Sequence, residues 1–203
     1  ATGNTDDGSA FNIDLDGSSP EGTAIKVVSS DAGFITSAFL DLDFIEGGRL
    51  DIDGTLARDG APSRFNIVVT DGRLHNAPFL TQILSLASLR GLADTLGGDG
   101  VLFSRIDIPL TVAGDRYVVT GGKAQGPALG LTANGYLGAD SEISVDGVLV
   151  PSFGMNSALG GIPIIGDLVV GRDGEGIFSL TYSIRGSLEK ANVSVNPLSA
   201  LAP

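Results

Sequence analysis

Residues that could carry catalytic chemistry are few and scattered in this chain. His75 is the only imidazole among 203 residues, and there is no Cys. A Ser-His-Asp triad would have to use His75, yet no Gly-x-Ser-x-Gly segment is present to supply the nucleophile. The same counts exclude metal sites that are built on several His or Cys ligands. We therefore expect His75 to be a surface or helix-capping residue.

Paired carboxylates are the remaining candidates for chemistry. Asp-x-Asp pairs occur at Asp14 and Asp16, at Asp41 and Asp43, and at Asp51 and Asp53. A calcium loop also needs Gly at its sixth position and Glu at its twelfth, and these are missing. A glycosidase needs two converging carboxylates, and the aromatic content of 6% without Trp does not favour a sugar site. Gly121-Gly122-Lys123 is expected between strands and not before a helix, so it predicts no phosphate loop. We expect no enzyme, no cofactor and no metal.

Composition narrows the class of partner. The formal net charge is −12 and the pI is near 4.2, which argues against nucleic acid and against electrostatic attraction to an anionic membrane. No run of about 18 apolar residues is present, so we expect no membrane-spanning helix. The chain begins Ala1-Thr2-Gly3-Asn4 without a signal-peptide pattern, and we interpret it as a piece of a longer protein.

Strict alternation of apolar and polar residues predicts a β-sheet with one wet and one apolar face. Ile106, Ile108, Leu110 and Val112 occupy alternate positions of one segment, and Phe178, Leu180, Tyr182 and Ile184 do so in another. Gly- and Asp-containing turns between the segments favour antiparallel hairpins. The predicted strands are Ala10–Asp16, Thr23–Ser29, Arg49–Ala57, Ser63–Asp71, Val101–Ala113, Arg116–Ala124, Ala128–Leu137, Glu142–Val150, Gly176–Gly186 and Ala191–Val195.

Two segments break this period and predict helices. A short helix should begin after Ser30 or Asp31, either of which suits an N-cap, and run to about Leu40. The longest helix should lie within Pro78–Leu96, with Asn76 as N-cap, Pro78 in the first turn and Gly97-Gly98 as the stop. The Gly- and Pro-broken stretch Met155–Val170 should form short helical turns over a sheet edge.

The apolar area of the predicted sheet is much larger than the area that the predicted helices can cover. About ten strands give an apolar face of roughly 1,400 Å2, whereas the footprint of a helix of about 18 residues is near 270 Å2. More than half of the apolar face would stay uncovered, and a contiguous apolar surface of that size is not left exposed to solvent. The sheet must therefore curl onto itself, pack on more protein or cover its face with a ligand.

Six ordered blocks of the sequence resemble one known family. They are GRLDIDG from Gly48 to Gly54, NAPFL from Asn76 to Leu80, LSLASL from Leu84 to Leu89, GPALGL from Gly126 to Leu131, VPSFGMNS from Val150 to Ser157 and VNPLSALAP from Val195 to Pro203. They are similar to the AsmA-like C-terminal region of the YhdP/TamB-related envelope proteins of Gram-negative bacteria, which are bridge-like lipid transfer proteins. The resemblance covers about residues 20–203.

The resemblance implies a single β-groove domain over residues 1–203, in the form of a curled, taco-like or half-open antiparallel sheet. One long helix and one or two short ones would pack on its apolar face. It implies a periplasmic module attached to the inner membrane through an N-terminal helix outside this fragment. Such a protein would conduct phospholipid between the inner and outer membranes, and this chain would be its C-terminal end, nearest the outer membrane. An outer-membrane or periplasmic protein would be a further partner. The family has no catalytic motif.

Two interpretations of the apolar face compete. In the first, the acyl chains of phospholipids lie on a floor formed by Ile106, Ile108, Leu110, Val112, Phe178, Leu180, Tyr182 and Ile184. In the second, the face closes as a core, and the domain is a non-catalytic structural or interaction module of envelope biogenesis.

Overall fold

The computed structural model describes residues 2–4, 10–40, 43–151 and 179–196, and every structural statement below concerns these residues. They form one antiparallel sheet, which runs in the order β1-β2-β3-β5-β6-β7-β8-β9-β10-β11-β12, with β4 paired to β6. Within the described part of the chain the two outermost strands, β1 and β12, do not pair, so the sheet is not closed. The mainly β, antiparallel class predicted from the sequence is thus confirmed. The strands are β1 (Thr2–Asn4), β2 (Ala10–Asp16), β3 (Gly22–Ser29), β4 (Ile45–Glu46), β5 (Arg49–Ala57), β6 (Ser63–Leu74), β7 (Val101–Ala113), β8 (Arg116–Gln125), β9 (Leu129–Leu137), β10 (Glu142–Pro151), β11 (Leu180–Ser187) and β12 (Asn192–Asn196).

The alternation of apolar and polar residues predicted the ends of most strands to within a few residues, because each strand has one apolar side. The strand β6 is the main exception, since it continues past its predicted end at Asp71 to Leu74. Asp71 has a φ of 54°, and the ladder with β7 continues through this residue to Leu74. The short strands β1 and β4 were not predicted. Phe178, the segment Met155–Val170 and the predicted start of a strand at Gly176 lie outside the described residues.

Gly121-Gly122-Lys123 lies inside β8 and not between two strands, so its predicted position was wrong. The ladders of β8 shift register here, between Asp107 and Leu110 of β7 and between Val119 and Gly122 of β8. Gly121 has a φ of 74°, which glycine adopts without steric cost. The segment is therefore a β-bulge, which inserts an extra residue and increases the local twist.

Register aligns the apolar positions of neighbouring strands into rows that cross the sheet, because directly paired residues of an antiparallel ladder point to the same face. We call three of them rows A, B and C. Row A is Phe11, Ser29, Leu50, Val69, Ile106, Ala124, Leu131, Leu149 and Leu180. Row B is Ile13, Val27, Ile52, Ile67 and Ile108, and it ends at the bulge. Row C is Leu15, Ile25, Gly54, Phe65, Leu110, Val119, Gly135, Val145, Ile184 and Val193.

The first helix, α1 (Ala32–Leu40), follows β3 and begins as the sequence predicted. Asp31 is its N-cap, because its Oδ1 accepts a hydrogen bond of 3.0 Å from the backbone N–H of Phe34. This bond satisfies one of the donors that a helix leaves free at its N-terminus. In the core, Ala32 and Ile35 are buried.

The single long helix predicted over Pro78–Leu96 is wrong, because the segment forms two short helices, α2 (Pro78–Leu86) and α3 (Arg90–Gly97). Ser88 separates them with a φ of 61°. The N–H of Leu89 donates to the carbonyl of Leu84 at 2.8 Å, and the N–H of Ser88 donates to the carbonyl of Ser85 at 3.1 Å. These two bonds are those of a Schellman motif, which usually has Gly at this position. Because Ser stands there and the apolar pattern continues, the break could not be predicted from the sequence.

The start of α2 also differs in part from the prediction. Pro78 is in the first turn, as expected, but the N-cap is Ala77, which makes no side-chain capping bond. Asn76 is instead a left-handed residue with a φ of 50°, a conformation that Asn tolerates better than most residues. The predicted stop is confirmed, since α3 ends at Gly97.

One apolar cluster joins the helices and the sheet. Leu80, Ile83, Leu84 and Leu96 from α2 and α3 belong to the same buried cluster as Leu50, Val69, Ile106, Ala124, Leu149 and Leu180 of row A. α3 contacts β7, and α2 contacts the edge strand β12. The helices therefore join elements that lie far apart in the order of the sheet.

We expect Leu84→Ala to lower the free energy of unfolding by about 2–5 kcal/mol, because it leaves a cavity in this cluster. Leu84 is 0% exposed, whereas Leu86 of the same helix is 56% exposed. Leu86→Ala is therefore a matched control, and its effect should stay within about 0.5 kcal/mol. Urea titration followed by circular dichroism measures both; similar losses for the two variants would contradict the packing described here.

Candidate functional site

Three of the four lining residues predicted on β7 are only partly covered. Ile106, in row A, is buried, but Ile108, Leu110 and Val112 are half-buried. All four lie on the same face, since they occupy alternate positions of one strand. Coverage of this face therefore decreases along β7, away from the helices.

The lining residues predicted on β11 have a different environment. Leu180, Tyr182 and Ile184 are 1%, 7% and 6% exposed. Leu149, the ladder partner of Leu180, is fully buried too, and Val193 and Val195 of β12 pack against the same cluster. The predicted lining residues of β11 are thus buried, although the sequence patterns of β7 and β11 are equivalent. We call the region around them the closed part of the face.

The most exposed part of the apolar face lies on the first strands. Every member of row B is half-buried, and row C starts with Leu15, which is 65% exposed. Leu56, near the end of β5, is 51% exposed. Rows B and C therefore present apolar side chains to solvent from β2 to β7, over about 19 Å across the strands. A continuous apolar surface of this kind marks a binding surface more often than isolated exposed residues do.

A depression of about 310 Å3 lies where the open and the closed parts meet. Its floor is low because small residues of β8 and β9 lie side by side, namely Gly122, Ala124, Ala133 and Gly135. Larger apolar residues surround them, among them Ile106, Ile108, Tyr117, Leu131, Leu137, Ile143 and Val145. Its volume is at the lower end of the range for small-molecule sites.

Two aromatic rings lie over glycines on this face. A Cβ on Gly147 would lie 2.5 Å from Cζ of Tyr182, and a Cβ on Gly54 would lie 2.5 Å from Cδ1 of Phe65. The Tyr182 hydroxyl donates a hydrogen bond of 2.6 Å to the backbone carbonyl of Thr132. Burial, and secondly the nearby charge of Asp146, raise the pKa of Tyr182 to about 12. The ring thus contributes its apolar face to the closed core, while its one polar atom is satisfied by the backbone.

Charged and polar residues occupy the opposite face of the sheet. Three ion pairs lie there: Arg49 to Asp51 at 2.8 Å, Arg105 to Asp107 at 2.6 Å and Arg185 to Asp146 at 2.6 Å. The hydrogen bond from Arg49 holds the pKa of Asp51 below its ordinary value. Asp51 therefore lies on the wet side of β5, as predicted. All three pairs are largely solvent-exposed, so each contributes little to stability.

A polar depression of about 480 Å3 also lies on this opposite face, over β9 to β12. Its polar groups bond to one another or to the backbone. The Thr132 hydroxyl accepts from the N–H of Val148 at 3.1 Å, and Ser183 and Ser194 share a bond of 2.8 Å. In the described part of the chain, no buried side-chain nitrogen or oxygen lacks a hydrogen-bond partner. The depression therefore offers no buried polar group to a ligand.

The described side chains that could together bind a metal ion do not lie close to one another. Among the described residues, no three His, Asp or Glu side chains come close enough together to hold a metal ion. His75 is half-buried beside α2, and its backbone N–H donates to the carbonyl of Phe44 at 3.0 Å. No helix within the described ranges is long and apolar enough to cross a membrane. Of all the features described, the apolar face remains the candidate site.

Comparison with known proteins gives no match, since no family model, no curated protein and no solved structure is similar to this chain. The candidate site is therefore defined by the chain's own residues.

Stability at high pH should report the closed core around Tyr182. An unfolded tyrosine ionises near pH 10, whereas the folded one keeps its proton up to about pH 12. The stabilisation from the protonated phenol is complete below pH 10 and is lost as the pH rises towards 12. We expect the difference in unfolding free energy between wild type and Tyr182→Phe to decrease from pH 9 to pH 11. Urea titrations at each pH measure it, and a difference that stays constant would mean that Tyr182 is not buried.

Proposed function

We propose that the protein binds the acyl chains of lipids on the part of its apolar face that the helices leave open. The observation that carries this proposal is the half-exposed state of rows B and C from β2 to β7, with Leu15 and Leu56 largely exposed. Each methylene moved from water onto such a surface contributes about 0.8 kcal/mol, so an acyl chain needs no specific polar contact. Lipid headgroups would remain in solvent.

The shape that suits this function is a curled, half-open sheet with the helices packed on its apolar face. Two observations support it. Leu80, Ile83, Leu84 and Leu96 share a buried cluster with row A. In addition, α2 contacts β12, although β12 would lie about 24 Å from β7 in a flat sheet and a helix of nine residues is about 13 Å long. Curling of β7 to β12 brings these elements together.

The sequence blocks that resemble the AsmA-like region extend the proposal to a cellular role. In that role the chain is the C-terminal β-groove of a periplasmic protein attached to the inner membrane, and it conducts phospholipid towards the outer membrane. Apolar rows that cross the strands agree with a groove of that kind. This part of the proposal rests on the sequence blocks, and organic extraction of the purified protein followed by mass spectrometry of bound lipids tests it.

The burial of β10 and β11 favours a second candidate, a structural or interaction domain whose apolar face is a closed core. Leu149, Leu180, Tyr182 and Ile184 are all buried. On this alternative, rows B and C are covered by protein in the complete molecule and not by lipid. The two candidates differ in what contacts β7, so the deciding experiments are placed there.

Photo-crosslinking at β7 compares the two faces of one strand. We expect benzoylphenylalanine at Leu110, in row C, to label phospholipid when the protein is mixed with phosphatidylethanolamine vesicles. Its neighbour Thr111 is also half-buried but points to the polar face, so it is the matched control and should give little adduct. Mass spectrometry quantifies the adducts. Equal labelling at both positions, or none at Leu110, would be incompatible with acyl chains on this face.

A carboxylate placed on the face distinguishes its open part from its closed part. Leu110→Asp should leave the melting temperature within a few degrees of wild type, because the half-exposed carboxylate stays hydrated. The same variant should abolish lipid labelling from benzoylphenylalanine at Ile108, because the hydrated carboxylate lies where the acyl chain of the lipid would bind. Leu180→Asp should unfold the domain, because its carboxylate would be buried without a partner. Thermal unfolding and labelling of each variant are the measurements; unfolding of Leu110→Asp would favour the closed-core alternative.

A further inference from the structure

The segment 75–100, which contains α2 and α3, is joined covalently to the sheet at one place only. It leaves β6 after Leu74 and enters β7 at Val101, and these two residues are direct ladder partners. The segment is thus a helical hairpin inserted between two adjacent strands. A movement of the whole hairpin about this base would break no hydrogen bond of the β6–β7 ladder.

Residues with a left-handed backbone mark the joints of the hairpin. Asn76 precedes α2 with a φ of 50°, Ser88 lies between the helices with a φ of 61°, and Gly100 follows α3 with a φ of 77°. A hinge is a place where a few residues at the ends of elements absorb a change in backbone angles. Asn76 and Gly100 are at the two ends of the hairpin, where a hinge would need to be.

The two ends of the hairpin are bonded to each other. The N–H of Asn76, before α2, donates to the carbonyl of Leu96, near the end of α3, at 3.0 Å. A second bond, from the N–H of Gly100 to the carbonyl of Thr95 at 2.7 Å, lies within the C-terminal end of the hairpin. Within the described residues, no hydrogen bond joins residues 77–98 to any residue outside the hairpin. The helices are therefore one unit, and within the described residues only apolar contacts join residues 77–98 to the rest of the protein.

In the described part of the chain, the hydrogen bonds between the hairpin and other elements all lie at the base of the hairpin. Nη1 of Arg73 donates to the carbonyls of Asp99 and Gly100 at 3.1 and 3.4 Å. The N–H of His75 donates to the carbonyl of Phe44. Apolar contact has no preferred direction, so another apolar group can replace it on the same surface.

We propose that the α2–α3 hairpin is a hinged cover which opens as one unit about Asn76 and Gly100 and which an acyl chain displaces from row A. The displacement rests on the proposed lipid binding, whereas the opening does not. In the closed state, α2 contacts β12 and closes the β10–β12 part of the face. In the open state, row A joins rows B and C, and the apolar path continues across the bulge of β8 to β11.

Hydrogen exchange measured by mass spectrometry on the full chain tests the opening without any ligand. We expect the amides of residues 78–97 to exchange together and faster than those of β6 and β7. Arg73→Ala removes the side-chain tie at the base and should raise the exchange of residues 78–97 by about tenfold, while β6 and β7 keep their rates. Arg105→Ala is the matched control, because Arg105 bonds to Asp107 of its own strand and has no tie to the hairpin. Equal rates for the helices and for β6 and β7, in wild type and Arg73→Ala, would overturn the proposal.

The same measurement with a lipid probe tests the displacement. Lauroyl lysophosphatidylcholine, kept below its critical micelle concentration, should slow exchange in β5 to β7 and accelerate it in residues 78–97. Slower exchange in both regions would mean that the probe binds beneath a cover that stays closed, which overturns the displacement. If the probe changes no strand at saturating concentration, the proposed lipid binding fails and the displacement with it, and the ligand-free rates still decide whether the hairpin opens.

Discussion

The structure depends on one constraint, which is that a single face of a long, open antiparallel sheet is apolar and has to be covered. Register creates this constraint. Nine strands contribute one residue each to row A, and of these only Ser29 is polar. The Ser29 hydroxyl donates to the carbonyl of Asp31, so even this residue needs no water. Because every strand adds to the same face, the apolar area grows with the number of strands, whereas the described chain contains only three short helices.

The exposure of the apolar side chains therefore differs between the two ends of the strands. The difference follows the kind of connection that joins the strands at each end. The insertions that contain α1, α2 and α3 all leave the sheet at the end of the strands where row A lies. At the other end, the strands are joined by short turns such as Asp59-Gly60, where both residues have a positive φ. Row A is thus the row nearest to these insertions along the strands, and side chains two or more residues further along, such as Leu110 and Leu15, are partly or largely exposed. The buried residue Leu180 is also in row A, and α2 contacts the neighbouring strand β12.

Sequence alone predicts the strands well, because period-two alternation is a local signal that each strand carries by itself. It does not predict the division of the helical segment, because the Schellman motif at Ser88 uses a residue type that is uncommon there. Nor does it predict that Ile108 and Tyr182 differ in burial. Both lie on strands with the same alternation, and burial depends on tertiary packing that the alternation does not encode. Gly121-Gly122-Lys123 was wrongly expected between strands for a related reason, since two adjacent glycines resemble a turn until the partner strands are known.

The described residues leave no buried polar side-chain group unpaired, which limits how the apolar face could select a ligand. Tyr182, the one buried hydroxyl-bearing ring, is bonded to the backbone of Thr132 and cannot recognise a ligand group without losing that bond. Charged side chains lie on the other face, where Arg105 and Arg185 are paired with carboxylates. A molecule on rows B and C would therefore be selected by the length and width of its apolar part, and its polar part would meet solvent. Because apolar contact has no preferred direction, protein side chains and acyl chains can bind to the same rows with similar free energy per buried area. The balance between core and binding surface on this sheet is thus set by how much apolar area the helices can offer.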